Sequence, residues 1–405
     1  MYTNEEKWQL ALDILKPTEK ELRHGLELHE NSLVFDAYGF IPLPVPQCDD
    51  RFREMAANGA SRDELAYARH VLAAKDGMKD PENVLLMKET LKMAGVDAIF
   101  QNSGQEGNDI ERLIRRLGIF HQLADSFPEF LTRAAFPDRI LKAREEGKFA
   151  LYPTTNGVPL PCTPQSTEEA LNYIEVFFGL GVRMMHLTYN RRNMFGDGCA
   201  EKADAGISAF AEDAIREMNR IGMICDVAHS GLRTSYEAAK ASKKPIVASH
   251  TVAGGLYPHY RSKSDEVIEA IKATGGFVGI CAHPPFLGGS KKIDAFIDHI
   301  DYVARKFGVD HVAIGTDHAT SFGKQGNPFP PAGKSRPIWE QYWSYSPIGG
   351  EYGGVFDHTD EEYDSMAWTN WPLYTVALVQ RGYTDEEIRK IIGGNVLRVC
   401  QESLA

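Results

Sequence analysis

The sequence predicts an α/β fold, a (β/α)8 barrel, from three observations. Short β-rich runs that end in polar residues alternate with amphipathic helical patterns, which is typical of a parallel sheet. Eight such runs occur, whereas a doubly wound sheet needs fewer strands and a Gly-rich first turn that this chain lacks. The predicted strands are 33–37, 96–102, 149–155, 182–189, 223–229, 245–250, 277–283 and 311–318.

Capping boxes begin several of the helices between these strands. In Ser61-x-x-Glu64 and Ser166-x-x-Glu169, a hydroxyl and a carboxylate can satisfy the free backbone N–H groups of a first helical turn. A similar box begins the last predicted helix, which runs to about Cys400. We therefore expect helices to cover the outside of the barrel.

Two segments interrupt the strand–helix repeat. Residues 41–94 hold a Pro-rich loop and two helical patterns, and residues 319–372 are rich in Gly, Pro and aromatic residues, with four of the five tryptophans. A loop of that length is usually a lid or binding segment, and the alternative is an aromatic-packed cover of the barrel or of a subunit interface. We expect one domain over residues 1–405, with an insertion at 41–94 and a lid-like segment at 319–372.

The composition excludes several classes of partner. Asp and Glu total 56 against 44 Lys and Arg, and the net charge of -12 would repel phosphate backbones, so no nucleic acid is expected. No uninterrupted apolar run is long enough to span a bilayer, and the first residues lack the layout of a signal peptide. The six cysteines are scattered, without a CxxC pair. These features predict a soluble cytoplasmic protein without a membrane partner.

Polar residues at the predicted strand ends mark a candidate active site. In a (β/α)8 barrel the loops that follow the strands converge on one bowl. His229 ends the fifth strand, His250 ends the sixth, and Asp317 lies at the end of the eighth. Two histidines there can bind one divalent cation, and an aspartate can take a proton from metal-bound water. This layout is typical of a metal-dependent hydrolase.

Five separated segments stand in a recognisable order and spacing: "EMNRIGMICDVAHSG", "SKKPIVASHT", "YPHYRSKSDEVIEAIKATGGFVGI", "DHVAIGTDHAT" and "RGYTDEEIRKIIGGNVLRV". They resemble the membrane dipeptidase family (renal dipeptidase, peptidase M19) of the amidohydrolase superfamily. The resemblance implies a (β/α)8 barrel with two zinc ions that cleaves dipeptides or similar small amides, and a possible homodimer. It also implies that His229 and His250 hold the second metal, that Arg261 binds the substrate carboxylate and that Asp317 transfers a proton.

The first half of the chain departs from that family pattern. The His-x-Asp pair of the family's first strand falls on Tyr38 and Phe40, its bridging glutamate falls on Asn156, and its histidine after the fourth strand falls on Tyr189. An amide binds zinc poorly and phenylalanine cannot bind it. We therefore expect at most one metal ion per chain, zinc or alternatively iron, and weak or absent turnover of ordinary dipeptides.

Three interpretations remain open. In the first, His229 and His250 hold one metal with an unidentified third ligand and the protein hydrolyses a C–N bond in a small carboxylate-bearing substrate. There Asp317 and Tyr189 serve proton transfer and oxyanion stabilisation. In the second, Tyr38 and Tyr189 join the two histidines around ferric iron in a redox enzyme that acts on a small aromatic or carboxylate substrate. In the third, the chain is a non-catalytic binding homologue.

The site assignments follow from the first two interpretations. The predicted metal ligands are His229, His250 and Tyr38, and the predicted substrate-binding residues are Arg261 and Asn156.

Three further histidines lie near strand ends. Because side chains alternate along a strand, His318 is expected to face away from the bowl if Asp317 faces into it. His283, at the end of the seventh predicted strand, is the better substitute for a lost ligand. His186 lies three residues before Tyr189, on the opposite parity, and is expected to pack among the outer helices.

Overall fold

The computed structural model describes residues 2–103, 108–161, 163–324, 328–330 and 357–405, without the side chains of residues 62 and 63. The described strands form one curled parallel sheet. In chain order they are β1 (Phe35–Pro44), β2 (Ala98–Asn102), β3 (Leu131–Arg133), β4 (Phe149–Thr155), β5 (Met184–His186), β6 (Ile224–Asp226), β7 (Ile246–Ala253), β8 (Ser262–Lys263), β9 (Val278–Ile280), β10 (Val312–Ile314) and β11 (Ala319–Phe322).

Eight of these strands follow one another around the barrel in the order β1, β2, β4, β5, β6, β7, β9 and β10. Each of the eight overlaps one predicted strand. Backbone hydrogen bonds join the two ends of the series, because the amide of Asp317 donates to the carbonyl of Tyr38 (2.9 Å) and the amide of Phe40 donates to the carbonyl of His318 (3.2 Å). The predicted (β/α)8 barrel is confirmed. The three remaining strands are short additions that pair with β4, β7 and β1.

The barrel interior is a closed apolar cluster, with successive strands contributing buried side chains. Phe35 of β1 stacks on Phe100 of β2 with ring centroids 5.3 Å apart. The last helix of the chain adds side chains to the same cluster, which places that helix against the strands. The main members of the cluster are Phe35, Ala98, Phe100, Ala150, Tyr152, Met184, Ile224, Val247, Phe277, Ala313, Val396, Val399 and Cys400.

Seventeen α-helices are described, together with short 3-10 and π segments. In chain order they are α1 (Asn4–Leu15), α2 (Glu19–Glu30), α3 (Asp50–Ala57), α4 (Arg62–Val71), α5 (Pro81–Ala94), α6 (Ile110–Ser126), α7 (Pro137–Glu145), α8 (Thr167–Gly179), α9 (Ala209–Ile221), α10 (Leu232–Ala241), α11 (Asp265–Ala273), α12 (Pro284–Leu287), α13 (Ile293–Phe307), α14 (Asp360–Ser365), α15 (Trp371–Gln380), α16 (Asp385–Arg389) and α17 (Asn395–Leu404). None of the described helices is long and apolar enough to cross a membrane.

The predicted capping boxes differ in how completely they form. The box that begins at Ser61 has both of its hydrogen bonds. At the start of α8 the Ser166 hydroxyl accepts the Glu169 amide, but the Glu169 carboxylate accepts from the amide of Gln165 instead of Ser166. The helix still begins where predicted, because one satisfied amide and an acidic first turn remain.

The two segments that interrupt the repeat are only partly as expected. Between β1 and β2 the chain forms three α-helices, α3 to α5, rather than two, since the Asp49 side chain caps an extra helix.

In the aromatic-rich segment, Trp368 and Trp371 are buried in the main core, and Trp368 Nε1 donates to the Asp36 carboxylate (3.0 Å). Trp339 and Trp343 and most of the lid-like segment lie outside the described residues, so the lid stays a prediction.

Candidate active site

Three histidines meet at the ends of neighbouring strands. His186 is the last residue of β5, His229 follows β6 by three residues, and His250 lies in β7. All three side chains are buried, and one ring nitrogen from each lies within 4.8 Å of the others. The Nε2 atoms of His229 and His250 are 2.9 Å apart. Within the described part of the chain, no other group of three His, Cys, Asp or Glu side chains converges in this way.

The prediction that His186 packs among the outer helices is wrong. That prediction assumed that the strand continues to Tyr189, and it assigned the side-chain direction of His186 by alternation from that residue. The strand β5 ends at His186, so parity holds only between Met184 and His186. Met184 lies in the interior cluster, and His186 two residues later faces the same side. The structure thus supplies a third histidine that sequence analysis missed.

Hydrogen-bond partners surround the outer edge of this histidine cluster. His186 Nδ1 lies 2.9 Å from the carbonyl oxygen of Thr155, and His229 Nδ1 lies 2.6 Å from Asn190 Oδ1. His250 Nδ1 lies 2.8 Å from Ser249 Oγ. Such contacts hold each imidazole ring in one orientation, which a shared binding site requires.

Asp226, the last residue of β6, links two of the three histidines. Its Oδ1 accepts from the amides of Ala228 (2.8 Å) and Ser249 (3.1 Å). Its Oδ2 accepts from the Ser249 hydroxyl, which in turn contacts His250, and lies 3.1 Å from His186 Nε2. Asp226 precedes His229 in the quoted motif, but sequence analysis gave it no role. Its position at a strand end was the signal that could have identified it.

The residues at the divergent family positions also lie against the cluster. The ring of Tyr38 stacks on His250 with centroids 3.7 Å apart, and its hydroxyl donates to Asn156 Oδ1 (2.6 Å). The ring of Tyr189 stacks on His229 with centroids 4.1 Å apart. The structure therefore brings Tyr38, Asn156 and Tyr189 together with the two predicted histidine ligands.

Arg261 presents its guanidinium to the same place. The side chain is 1% exposed. Its Nη1 donates to the carbonyl of Ala228, and its Nη2 donates to the carbonyl of His250 (3.1 Å). Nη2 also lies 3.4 Å from His229 Nε2. The two main-chain acceptors hold the charged group beside the histidines.

Asp317 follows β10 in a left-handed backbone conformation, with φ of 56°. This conformation is uncommon for a residue other than glycine and often occurs at functional sites. Burial raises the pKa of its carboxyl group to about 7, while the Arg261 cation lowers it and the Asp36 carboxylate raises it further. A carboxyl group with a pKa near 7 can accept or donate a proton at neutral pH.

The remaining strand-end histidines lie outside the cluster. His318 Nε2 donates to the carbonyl of Ala282 (2.9 Å), and its ring stacks on Tyr363 of α14. Because β10 ends at Ile314 and Asp317 has a positive φ, alternation along a strand does not explain this direction. His283 packs edge-on against Phe286 and does not converge with the three clustered histidines. The expectation that His283 replaces a lost ligand is therefore wrong, because β9 ends at Ile280 and His283 stands at the N-cap position of the short helix α12, without a side-chain capping hydrogen bond.

Comparison with known proteins gives curated relatives that are dipeptidases by name. Dipeptidase tcpJ of Claviceps purpurea (strain 20.1) is 24% identical over 293 residues, which cover 71% of this chain and 59% of that protein. The uncharacterized dipeptidase C965.12 of Schizosaccharomyces pombe is 32% identical over 188 residues, 44% of each chain. This chain thus spans about 59% and 44% of the length of these two relatives.

Solved structures share the fold of this chain. An amidohydrolase from Pseudomonas aeruginosa is 25% identical with a TM-score of 0.69, covering 94% of this chain and 99% of that one. A metallo peptidase from Rhodobacter sphaeroides, liganded with a phosphinate mimic of the dipeptide L-Ala-D-Ala, shares the fold with a TM-score of 0.63 at 16% identity, covering 92% of this chain and 100% of that one. The family model for membrane dipeptidase (Peptidase family M19) matches residues 64–326, well over half of the sequence. This chain belongs to the membrane dipeptidase family, Peptidase family M19.

Proposed function

We propose that this protein is a metal-dependent hydrolase with a mononuclear site, which cleaves an amide or dipeptide-like C–N bond in a small carboxylate-bearing molecule. The observation that carries the proposal is the buried histidine cluster at the strand ends with the Arg261 guanidinium beside it. The names of the curated relatives, which are dipeptidases, point to the same reaction class.

The donor set of the cluster fits a single zinc ion. Imidazole nitrogens are common zinc ligands, and His229 and His250 would hold the ion. On the other side of the site, the Tyr38 hydroxyl is hydrogen-bonded to Asn156 at the positions where the family pattern has ligands for a first metal. That neighbourhood supports one ion rather than two. Bound zinc would lower the pKa of a water molecule and polarise a carbonyl group.

Arg261 would bind the carboxylate group of the substrate. A guanidinium has five N–H donors, and the contacts to Ala228, His250 and His229 leave donors free for a carboxylate. Asn156 would position the substrate beside Tyr38.

Asp317 and Tyr189 would carry out the proton transfer and charge stabilisation. Asp317 would accept a proton from the attacking water and return it to the leaving nitrogen, a role that suits its pKa of about 7. Tyr189, whose ring is held by stacking on His229, would donate its hydroxyl to the oxyanion that forms on the substrate carbonyl.

The test is a screen of dipeptides, N-acyl amino acids and small cyclic amides with the zinc-loaded wild type and with Asp317→Asn. Elemental analysis of protein purified without added metal comes first, and we expect no more than one transition-metal equivalent per chain. We expect the aspartate variant to lose about 100-fold or more of the hydrolysis rate. Two metal equivalents, or hydrolysis that persists undiminished in Asp317→Asn, would contradict the proposal.

A mononuclear iron enzyme is the second candidate, because the rings of both Tyr38 and Tyr189 contact the histidine cluster. Tyrosinate and imidazole together form a ligand set that suits ferric iron. In that case the purified protein would contain iron and show a visible tyrosinate charge-transfer band. It would consume oxygen with a small aromatic acid and would not hydrolyse amides. A protein that binds such molecules without turnover would be a binding homologue.

A further inference from the structure

We infer that His186 is the third metal ligand and completes a three-histidine site with His229 and His250. The inference rests on the proposed metal-dependent function and makes it more specific. None of the family positions discussed above falls on His186, so its role is inferred from its placement in the structure alone. The three strands β5, β6 and β7 are consecutive in the barrel, and the three histidines lie in β5, just after β6 and in β7.

The proton on His186 is located by its partner. The carbonyl oxygen of Thr155 can only accept a hydrogen bond, so Nδ1 of His186, 2.9 Å away, carries the proton. The Nε2 atom of the neutral ring then presents a lone pair. That atom is buried, no donor among the described residues forms a hydrogen bond with it, and the Asp226 carboxylate lies 3.1 Å from it. A buried acceptor beside another acceptor is unfavourable unless a proton or a metal ion lies between them, and metal binding by the variants below distinguishes these two cases.

The hydrogen-bond partners of His229 and His250 locate the protons on these two rings in the same way. Asn190 Oδ1 accepts from Cys199 Sγ (3.3 Å), and His229 Nδ1 donates to the same oxygen. The Ser249 hydroxyl donates its own proton to Asp226, so His250 Nδ1 donates to Ser249 Oγ. The lone pairs of His229 and His250 are therefore also on Nε2. This outer ring of partners is the arrangement that metal-binding histidines use to fix their tautomers.

One ring nitrogen from each of the three histidines lies within 4.8 Å of the others, a spacing that could hold one metal ion. Nitrogen ligands of a tetrahedral zinc ion lie about 2.0–2.1 Å from the metal and so roughly 3.3 Å from each other. The Nε2 atoms of His229 and His250 are 2.9 Å apart, and a ring nitrogen of His186 is within 4.8 Å of both. Three protein ligands and one open position are typical of catalytic zinc. His186, His229 and His250 together supply three protein ligands, so Tyr38 is not needed as a ligand.

Metal binding by purified variants tests the inference without relying on activity. The metal-free wild type, His186→Gln, His186→Phe and Tyr38→Phe are titrated with Co²⁺, and zinc affinity is measured by competition with a chromophoric chelator. The matched control is His29→Gln, since His29 is a buried histidine with two hydrogen bonds outside the cluster. Circular dichroism establishes that each variant is folded, and either folded His186 variant decides the question.

We expect one equivalent of Co²⁺ in the wild type, with visible d–d absorption of a four-coordinate site. Both His186 variants should lose that spectrum and bind zinc at least about 100-fold more weakly. That loss is at or above the upper end of the effect of removing a hydrogen-bond partner of a metal ligand. The zinc affinities of Tyr38→Phe and His29→Gln should stay within about threefold of the wild-type affinity. That change is smaller than the roughly 10-fold loss that follows removal of a hydrogen-bond partner of a metal ligand.

The outcomes separate this inference from the proposed function. One bound equivalent with unchanged affinity and spectrum in the His186 variants would overturn the inference and leave the mononuclear hydrolase intact. A large loss in Tyr38→Phe alone would assign the third position to that tyrosine and overturn it as well. A wild type that binds neither Co²⁺ nor Zn²⁺ would contradict both the inference and the proposed function.

Discussion

At the scale of single residues, Asp226 connects the backbone around β6 and β7 with the histidine cluster. It accepts two backbone amides and the Ser249 hydroxyl, and it lies beside His186. Its negative charge is close to the place where the proposed cation binds. Through the Ser249 hydroxyl the carboxylate supports the Nδ1 side of His250, and such a partner raises the basicity of a metal-binding histidine and holds its ring in place. It contacts His186 on Nε2 itself, the atom that faces the proposed cation.

We predict that Asp226→Asn weakens zinc binding by about 10–100-fold while the protein stays folded. The amide keeps one oxygen for the backbone donors but removes the charge and the acceptor of the Ser249 hydroxyl. Chelator competition measures the affinity. Asp204→Asn is a suitable control, because Asp204 accepts from the amides of Arg233 and Thr234 at the start of α10. Equal affinities in the wild type and Asp226→Asn would refute the prediction.

At the scale of elements, Asp36 joins three parts of the fold. Its Oδ1 accepts from the amides of Tyr38 (3.2 Å) and Thr316 (2.9 Å). Its Oδ2 accepts from the Thr316 hydroxyl (2.6 Å) and from Trp368 Nε1 (3.0 Å). The carboxylate thus ties β1 to the loop after β10 and to the segment before α15, and so helps to close the barrel.

We predict that Asp36→Asn lowers the free energy of unfolding at pH 7 by roughly 1–3 kcal/mol. The amide NH₂ would face the Trp368 N–H, and this buried donor would lose its acceptor. Burial raises the pKa of Asp36 to about 6, against hydrogen bonds that lower it. The folded wild type therefore takes up a proton between about pH 4 and 6 that the unfolded chain does not, so this group makes stability rise as the pH falls through that window.

Urea unfolding of both proteins at pH 4.5, 6 and 7.5 checks both statements. The variant should lack the part of the pH dependence that the wild type owes to Asp36. An unchanged pH dependence would show that the raised pKa is not expressed in the folded protein.

The contact between α2 and α15 depends on a glycine. A Cβ atom placed on Gly25 would lie 2.6 Å from Val376 Cα and 2.7 Å from Val376 Cγ2. These distances are too short for the two helices to keep their present separation. Glycine is otherwise unfavourable in a helix, by about 1 kcal/mol relative to alanine. Its presence in α2 is therefore explained by close packing.

We predict that Gly25→Ala destabilises the protein, because overpacking costs about 1–3 kcal/mol and outweighs the gain in helix propensity. Gly118→Ala in α6 is the matched control, since a Cβ atom there meets no atom within 4 Å. That variant should be as stable as the wild type or more stable by up to about 1 kcal/mol. Thermal unfolding of the two variants side by side measures the difference, and equal midpoints would count against the packing argument.

At the scale of the whole molecule, the proposed metal site ties together neighbouring strands of the barrel. A ligand that binds only the folded state stabilises it by mass action. At a zinc concentration of 100 times the dissociation constant, we predict a gain of about 2.7 kcal/mol in the wild type and a much smaller gain in the His186 variants. Thermal unfolding with and without a chelator measures it. A melting midpoint that does not respond to zinc would argue against a site in the folded barrel.

The sequence by itself determined the architecture of this protein. Eight alternating runs predicted the eight barrel strands, and polar strand ends pointed to His229, His250 and Asp317, because these features repeat along the chain and need no knowledge of distant contacts. Arg261 was predicted from the family resemblance of its motif. The divergent positions were also readable, since Tyr38 and Tyr189 do lie against the histidines.

Only the tertiary structure decided which side chains face one another. Alternation predicts direction only inside a strand, and the residue at which a strand ends is set by its pairing with the neighbouring strands. The ladder of β5 with β6 stops at His186 and Asp226, so His186 faces inward and Tyr189 lies beyond the alternation. The prediction for His283 was wrong for the same reason, since β9 ends at Ile280. The third histidine was hidden in the sequence because its direction depends on hydrogen bonds to strands that lie far away along the chain.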